Sequence, residues 1–136
     1  MIHALLVPNI SVGDFKIGDT IKNYLHKSPT LYLKKDEYIE NLYAFKEPPV
    51  DVFVDDLNNI TNITCSFECI WKGQNLISMD YYEFLKLSKT IPDSFEKIYL
   101  LINNRGQNQT VYTFENFGLQ IWVWNGNIVT VSATKY

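Results

Sequence analysis

Leu42-Tyr-Ala-Phe-Lys-Glu-Pro-Pro-Val-Asp-Val-Phe-Val54 and Val111-Tyr-Thr-Phe-Glu-Asn-Phe-Gly-Leu-Gln-Ile-Trp-Val123 align without a gap. Tyr43 and Phe45 fall opposite Tyr112 and Phe114, and Val50, Val52 and Val54 opposite Leu119, Ile121 and Val123. Beyond them, Asn59-Ile60-Thr61 matches Asn127-Ile128-Val129; upstream, Ile17–Leu25 matches Ile77–Leu85, and Leu31-Tyr-Leu33 matches Ile98-Tyr-Leu100. Apolar positions therefore recur in the same order through two units of roughly sixty residues, the signature of an internal repeat. The expected fold is α+β: two tandem diverged βα-β-rich repeats, at about 10–69 and 70–134, forming mainly antiparallel sheet with two helices in one domain, 1–136.

Each repeat opens on a helix. Asp19 or Thr20 can accept from the free N–H groups of a first turn, and Ile21, Tyr24 and Leu25 follow at helical spacing. Ser78 is the expected N-cap of the second helix, whose apolar face is Tyr81, Phe84 and Leu85. Alternation and β-branched or aromatic content predict strands over 31–34, 41–46, 50–54, 60–71, 97–102, 109–115, 118–124 and 127–133.

The sharpest local signal is Trp124-Asn-Gly-Asn127, in which Asn125-Gly126 suits a two-residue turn with positive φ at both positions. That turn pairs Trp124 with Asn127, Trp122 with Val129 and Gln120 with Val131, which makes both faces of the hairpin apolar. In Ile63-Thr-Cys-Ser-Phe-Glu-Cys-Ile-Trp71, alternation puts Ile63, Cys65, Phe67, Cys69 and Trp71 inward and Thr64, Ser66 and Glu68 outward. Cys65 and Cys69 on one extended strand stand roughly 13 Å apart, too far for a disulfide, and read as buried thiols.

Composition narrows the function. Of 136 residues, 46% are apolar and 15% aromatic, enough for a large core with aromatics left for a contact surface. The net charge is −3, and Lys34–Lys35 is followed at once by Asp36-Glu37, so no basic stripe offers itself to nucleic acid. A mildly acidic protein suits a basic protein partner instead. The apolar start, Ile2–Val7, is too short for a bilayer span or a signal core, and the cytoplasm is the expected compartment.

Chemistry-bearing constellations are sparse. His3 and His26 have no companions at ligand spacing, so no metal and no cofactor are expected. A Cys–His nucleophile pair from Cys65 or Cys69 and His26 lacks the electropositive setting that activates a thiol. Asp55-Asp56 and Asp36-Glu37 are adjacent carboxylates, not a pair facing each other across a cleft. Phosphate-cradling and nucleophile-elbow motifs are missing. An enzyme is not expected.

Phe15-Lys-Ile-Gly-Asp-Thr-Ile21 opening a helix, and Gly118-Leu-Gln-Ile-Trp-Val123 before an Asn-Gly turn and a last strand, carry a resemblance. With the small, acidic whole, they make the chain similar to the immunity proteins of bacterial contact-dependent growth-inhibition systems. The resemblance implies a protein that binds a cognate toxin domain, often a nuclease, and blocks its active site or substrate surface. Expected toxin contacts are Asp51, Asp55, Asp56 and Glu68. The alternative is a non-catalytic ligand-binding or assembly domain with a groove lined by Trp71, Trp122 and Trp124.

Overall fold

The structure, a computed structural model, describes residues 2–32 and 41–136. Three short strands, β1 (Leu6–Val7), β2 (Ser11–Val12) and β3 (Phe15–Lys16), form a small antiparallel sheet. A 3-10 helix, Ile21–Lys27, follows, capped by Thr20, whose hydroxyl accepts from Lys22 N. Then come β4 (Thr30–Tyr32), β5 (Asn41–Lys46), β6 (Pro49–Val54) and β7 (Ile60–Cys65). The last positions of the strand expected over 31–34, and the charged run 34–37, lie outside the described residues.

The second half also places a helix ahead of four strands. After a small hairpin of β8 (Ile70–Trp71) and β9 (Gln74–Asn75) comes helix α1 (Tyr81–Ser88). Strands β10 (Ser94–Ile102), β11 (Arg105–Phe114), β12 (Leu119–Trp124) and β13 (Asn127–Thr134) complete the chain. The main sheet has eight antiparallel strands in the order β10-β11-β12-β13-β7-β6-β5-β4. The two four-strand sets thus meet through their last strands, with Val131 opposite Cys65 and Ala133 opposite Ile63. The coarse expectation, mixed α and β with mostly antiparallel sheet and two helices, describes this arrangement.

Matching hydrogen bonds tie each helix start to its own set of strands. Gly18 N donates to Ile60 O at 2.7 Å, and Ser78 N to Ile128 O at 2.7 Å. Ile60 N and Ile128 N return bonds to Asp19 O and Met79 O, both at 2.8 Å, while Ile21 N and Tyr81 N donate to Asn58 O and Gly126 O, both at 2.9 Å.

One face of the sheet carries the core. Val50, Val52, Val54, Ile63, Cys65, Leu119, Ile121, Val131 and Ala133 alternate inward, under the small sheet and the helices. Phe84 of α1 meets Phe114 edge-on at 5.2 Å between centroids, and Tyr81 stacks on Tyr112 at 4.0 Å. Each fully buried side chain of this size contributes about 1.5–3 kcal/mol of transfer free energy.

Three local expectations are corrected. The cap of α1 is Asp80, not Ser78: the Asp80 carboxylate accepts from Tyr82 N and Glu83 N, while Ser78 sits two residues earlier with φ +73°. A carboxylate at that position also suits the positive end of the helix dipole. Second, the strand expected over 60–71 ends at Cys65, and Ser66 and Phe67 form a bend. Phe67 is therefore 76% exposed rather than inward, and buried Cys69 comes within hydrogen-bonding reach of Cys65. The neighbouring Cys65 thiol, and then burial, push the Cys69 thiol up, as befits an unreactive cysteine.

The third correction decides the character of the other face. Asn125 and Gly126 adopt φ +51° and +82° and pair Trp124 with Asn127 as expected. A bulge between Trp122 and Val123 then leaves Val129 unopposed, so Trp122 pairs with Thr130 and Gln120 with Ser132. Val131 turns into the core, and hydroxyls take the face that the simple register made apolar. A second bulge lies between Phe53 and Val54, whose register partners are Asn62 and Ile60. Bulges sharpen twist and bend the strands that hold them.

Candidate functional site

The face opposite the core is a concave groove of about 580 Å³. Its floor is a polar ladder across the centre of the sheet. Ser132 donates to Asn62 Oδ1 at 2.5 Å and lies 3.4 Å from the Thr64 hydroxyl, and Ser66 and Thr130 hydroxyls are 3.4 Å apart. Gln109, buried, donates to Gln107 at 3.1 Å. Phe53, Trp122, Leu100 and Ile102 supply the apolar walls, and no lining residue carries a charge. The Trp122 Nε1–H is buried with no hydrogen-bond partner among the described residues.

The β10–β11 hairpin makes one rim. Strand β11 pairs with β12 only through Thr110–Phe114, whereas it pairs with β10 out to Arg105. The outer part is therefore a two-stranded arm, an arrangement of marginal stability on its own. Leu100 and Ile102 face the groove; Phe95, Tyr99 and Leu101 face away and are 64%, 65% and 70% exposed. The Tyr99 ring lies across Gly106, where any Cβ would collide with it. β10 is also an edge of the sheet, with one side of its backbone unpaired by any other strand of the described chain.

At the other end, Thr64 and Ser66 are shared between the groove and a small pocket of about 70 Å³ that Asp51 and Phe67 complete. Asp51 is half-buried, and desolvation raises its carboxyl above the ordinary value.

The four expected contact acids do not converge. Asp51 alone faces the concave side of the sheet, opposite Thr64. Asp55 is occupied in its turn, its carboxylate accepting from Leu57 N and Asn59 N at 2.9 Å each. Asp56 is exposed in that same turn. Glu68 anchors the N-terminal segment, accepting from Ala4 N at 2.9 Å with His3 Nδ1 3.1 Å away, and those bonds hold its carboxyl below the usual range. Of the three tryptophans, Trp122 lines the groove and Trp124 stands exposed on the same face of β12. Trp71 instead packs in the core against Phe84 and Phe117.

Among the described residues, no three His, Cys, Asp or Glu side chains are grouped to hold a metal, and no helix is long and apolar enough to cross a membrane. Comparison with family models, curated proteins and solved structures gave no match.

Proposed function

We propose that the chain is an immunity protein that binds a cognate bacterial toxin domain and neutralises it by covering its active site or substrate surface. The concave face and its β10–β11 rim are the binding surface in this reading. The observation that carries it is the arm. An edge strand with Phe95, Tyr99 and Leu101 largely exposed is a template for pairing and a liability for a protein that keeps it bare. Exposed large apolar side chains gathered on one strand mark protein–protein contact. The net charge of −3 favours a basic partner such as a nuclease, in the cytoplasm of the cell that makes both proteins.

The scaffold is read as two diverged copies of one helix–four-strand unit. The paired helix-start hydrogen bonds and the bulges between Phe53 and Val54 and between Trp122 and Val123 support that reading.

The test starts from the gene immediately upstream: a toxin domain found there is co-expressed with the chain. The wild-type chain restores growth, and Tyr99→Ser with Leu101→Ser abolishes rescue while leaving the melting temperature within a few degrees. A wild-type chain that binds no such domain and gives no rescue overturns the proposal.

The groove's size supports a second reading, a non-catalytic ligand-binding domain, since about 580 Å³ lies within the range of small-molecule sites. Trp122 fluorescence reports on it: a metabolite that shifts the emission saturably favours this reading, and silence across a broad panel removes it.

A further inference from the structure

We infer that the pocket between Asp51 and Phe67 is a receptor for one arginine side chain of the protein partner. This deepens the immunity reading and rests on it for the partner's identity, though not for the chemistry of the pocket.

The Asp51 carboxylate is on the concave face of β6, half-buried, with no hydrogen bond or ion pair to any residue of the described chain. An ionised carboxylate removed from water without a partner is costly, and its raised pKa reflects that cost. Proteins retain such a group where something else completes it. Phe67 stands beside it in the same pocket, 76% exposed where the chain bends after β7. Thr64, Ser66, Pro49, Val50 and buried Phe45 finish the lining.

A carboxylate, an exposed aromatic ring and hydroxyl acceptors are the groups that a guanidinium uses at once. Its fork pairs with the carboxylate, its plane stacks on the ring, and its remaining N–H groups reach the hydroxyls. An ammonium is a compact, strongly hydrated point charge and uses the ring and fork geometry less well. The pocket, at about 70 Å³, suits a single side-chain head and is far smaller than a metabolite site. Phe67 also lines the adjoining cavity of about 330 Å³, together with Glu47, Glu68 and Lys46. Because Thr64 and Ser66 line the groove as well, an arginine seated here belongs to a segment that continues along the concave face toward the arm.

The pocket is tested on the chain alone, without any toxin, by titrating the 15N-labelled protein at low salt with N-acetyl-arginine methylamide and, separately, with its norleucine analogue. The arginine probe should give saturable amide shifts confined to 50–51 and 64–67, and the norleucine probe none. Asp51→Asn should weaken the arginine probe about tenfold or more, the loss of a hydrogen bond to a charged group. Phe67→Leu should weaken it severalfold while the remaining spectrum stays that of a folded protein. Absence of saturable shifts, equal response to the norleucine probe, or unchanged affinity in Asp51→Asn overturns the inference. None of those results bears on rescue by the wild-type chain, which tests the immunity reading separately.

Discussion

Replacing Tyr81 by Phe should make the protein more stable. Tyr81 is 7% exposed on the first turn of α1, and its ring stacks on Tyr112 with centroids 4.0 Å apart and planes 17° from parallel. The hydroxyl is buried with no hydrogen-bond partner among the described residues. The substitution keeps the stack and the volume of the ring and removes only the orphaned polar atom. Leaving a buried hydroxyl unsatisfied costs about 1–3 kcal/mol, so its removal should gain about 1 kcal/mol after allowance for relaxation.

With a urea m-value of about 1–3 kcal/mol/M, that gain raises the unfolding midpoint by roughly 0.3–1 M. The alkaline limb gives an independent check. Burial, then the nearby Tyr112 and Tyr82, raise the Tyr81 phenol above the value near 10 expected of the unfolded chain. Both states hold the proton below that pH; above it the unfolded chain ionises first, so stability falls as pH rises. Tyr81→Phe should therefore flatten the alkaline decline, leaving the share due to Tyr24 and Tyr136, which burial also raises. Urea denaturation between pH 7 and 11 measures both effects. A lower midpoint at pH 7 with an unchanged alkaline slope would refute the reasoning, because it requires the hydroxyl to have a partner in the folded state.

Asp80→Ala should cost about 1 kcal/mol through loss of the α1 cap, and Ser78→Ala much less, as denaturant midpoints will show. Asp51→Asn should raise the midpoint at pH 7, because a carboxyl with a raised pKa gives up stability as pH climbs through its folded value. The same variant should bind the partner more weakly, so stability and function move in opposite directions. Asp19 and Glu68 are held below the ordinary carboxylate range, Asp19 first by the Tyr24 hydroxyl and Glu68 first by Ala4 N–H. Their contribution is present above the unfolded pKa and is lost on acidification, so Glu68→Gln should shallow the acid limb of a stability profile.

The strands and their inward residues were legible because alternation writes them directly. Val50, Val52 and Val54 and their counterparts Leu119, Ile121 and Val123 are all buried. The Asn125-Gly126 turn was legible because positive φ has few suitable residues. The face of each residue beyond a bulge was not, since one unopposed residue shifts everything after it: Val131 moved inward and Ser132 outward. The short strands β1, β2, β3, β8 and β9, two residues each, are below the length at which periodicity means anything.

The concave site escaped for a related reason. Its floor of Asn62, Thr64, Ser66, Thr130 and Ser132 looks in sequence like ordinary solvated positions; only the curl of eight strands makes it a groove. Among the acids, sequence could nominate Asp51 but could not separate it from Asp55 and Glu68, whose carboxylates are already bonded within the chain. One signal was available for the arm: Phe95, Ile98, Tyr99, Leu100, Leu101 and Ile102 give β10 apolar residues on both faces, more than one core can cover.

The most direct measurement of the central claim is backbone hydrogen exchange of the chain with and without the toxin domain proposed as its partner. Protection should concentrate in β10 and on β6 and β7 around Asp51–Phe53 and Asn62–Ser66, with α1 and the 3-10 helix unchanged. Protection confined to α1 and the 3-10 helix, or none at all under conditions where the toxin domain is folded, would contradict it.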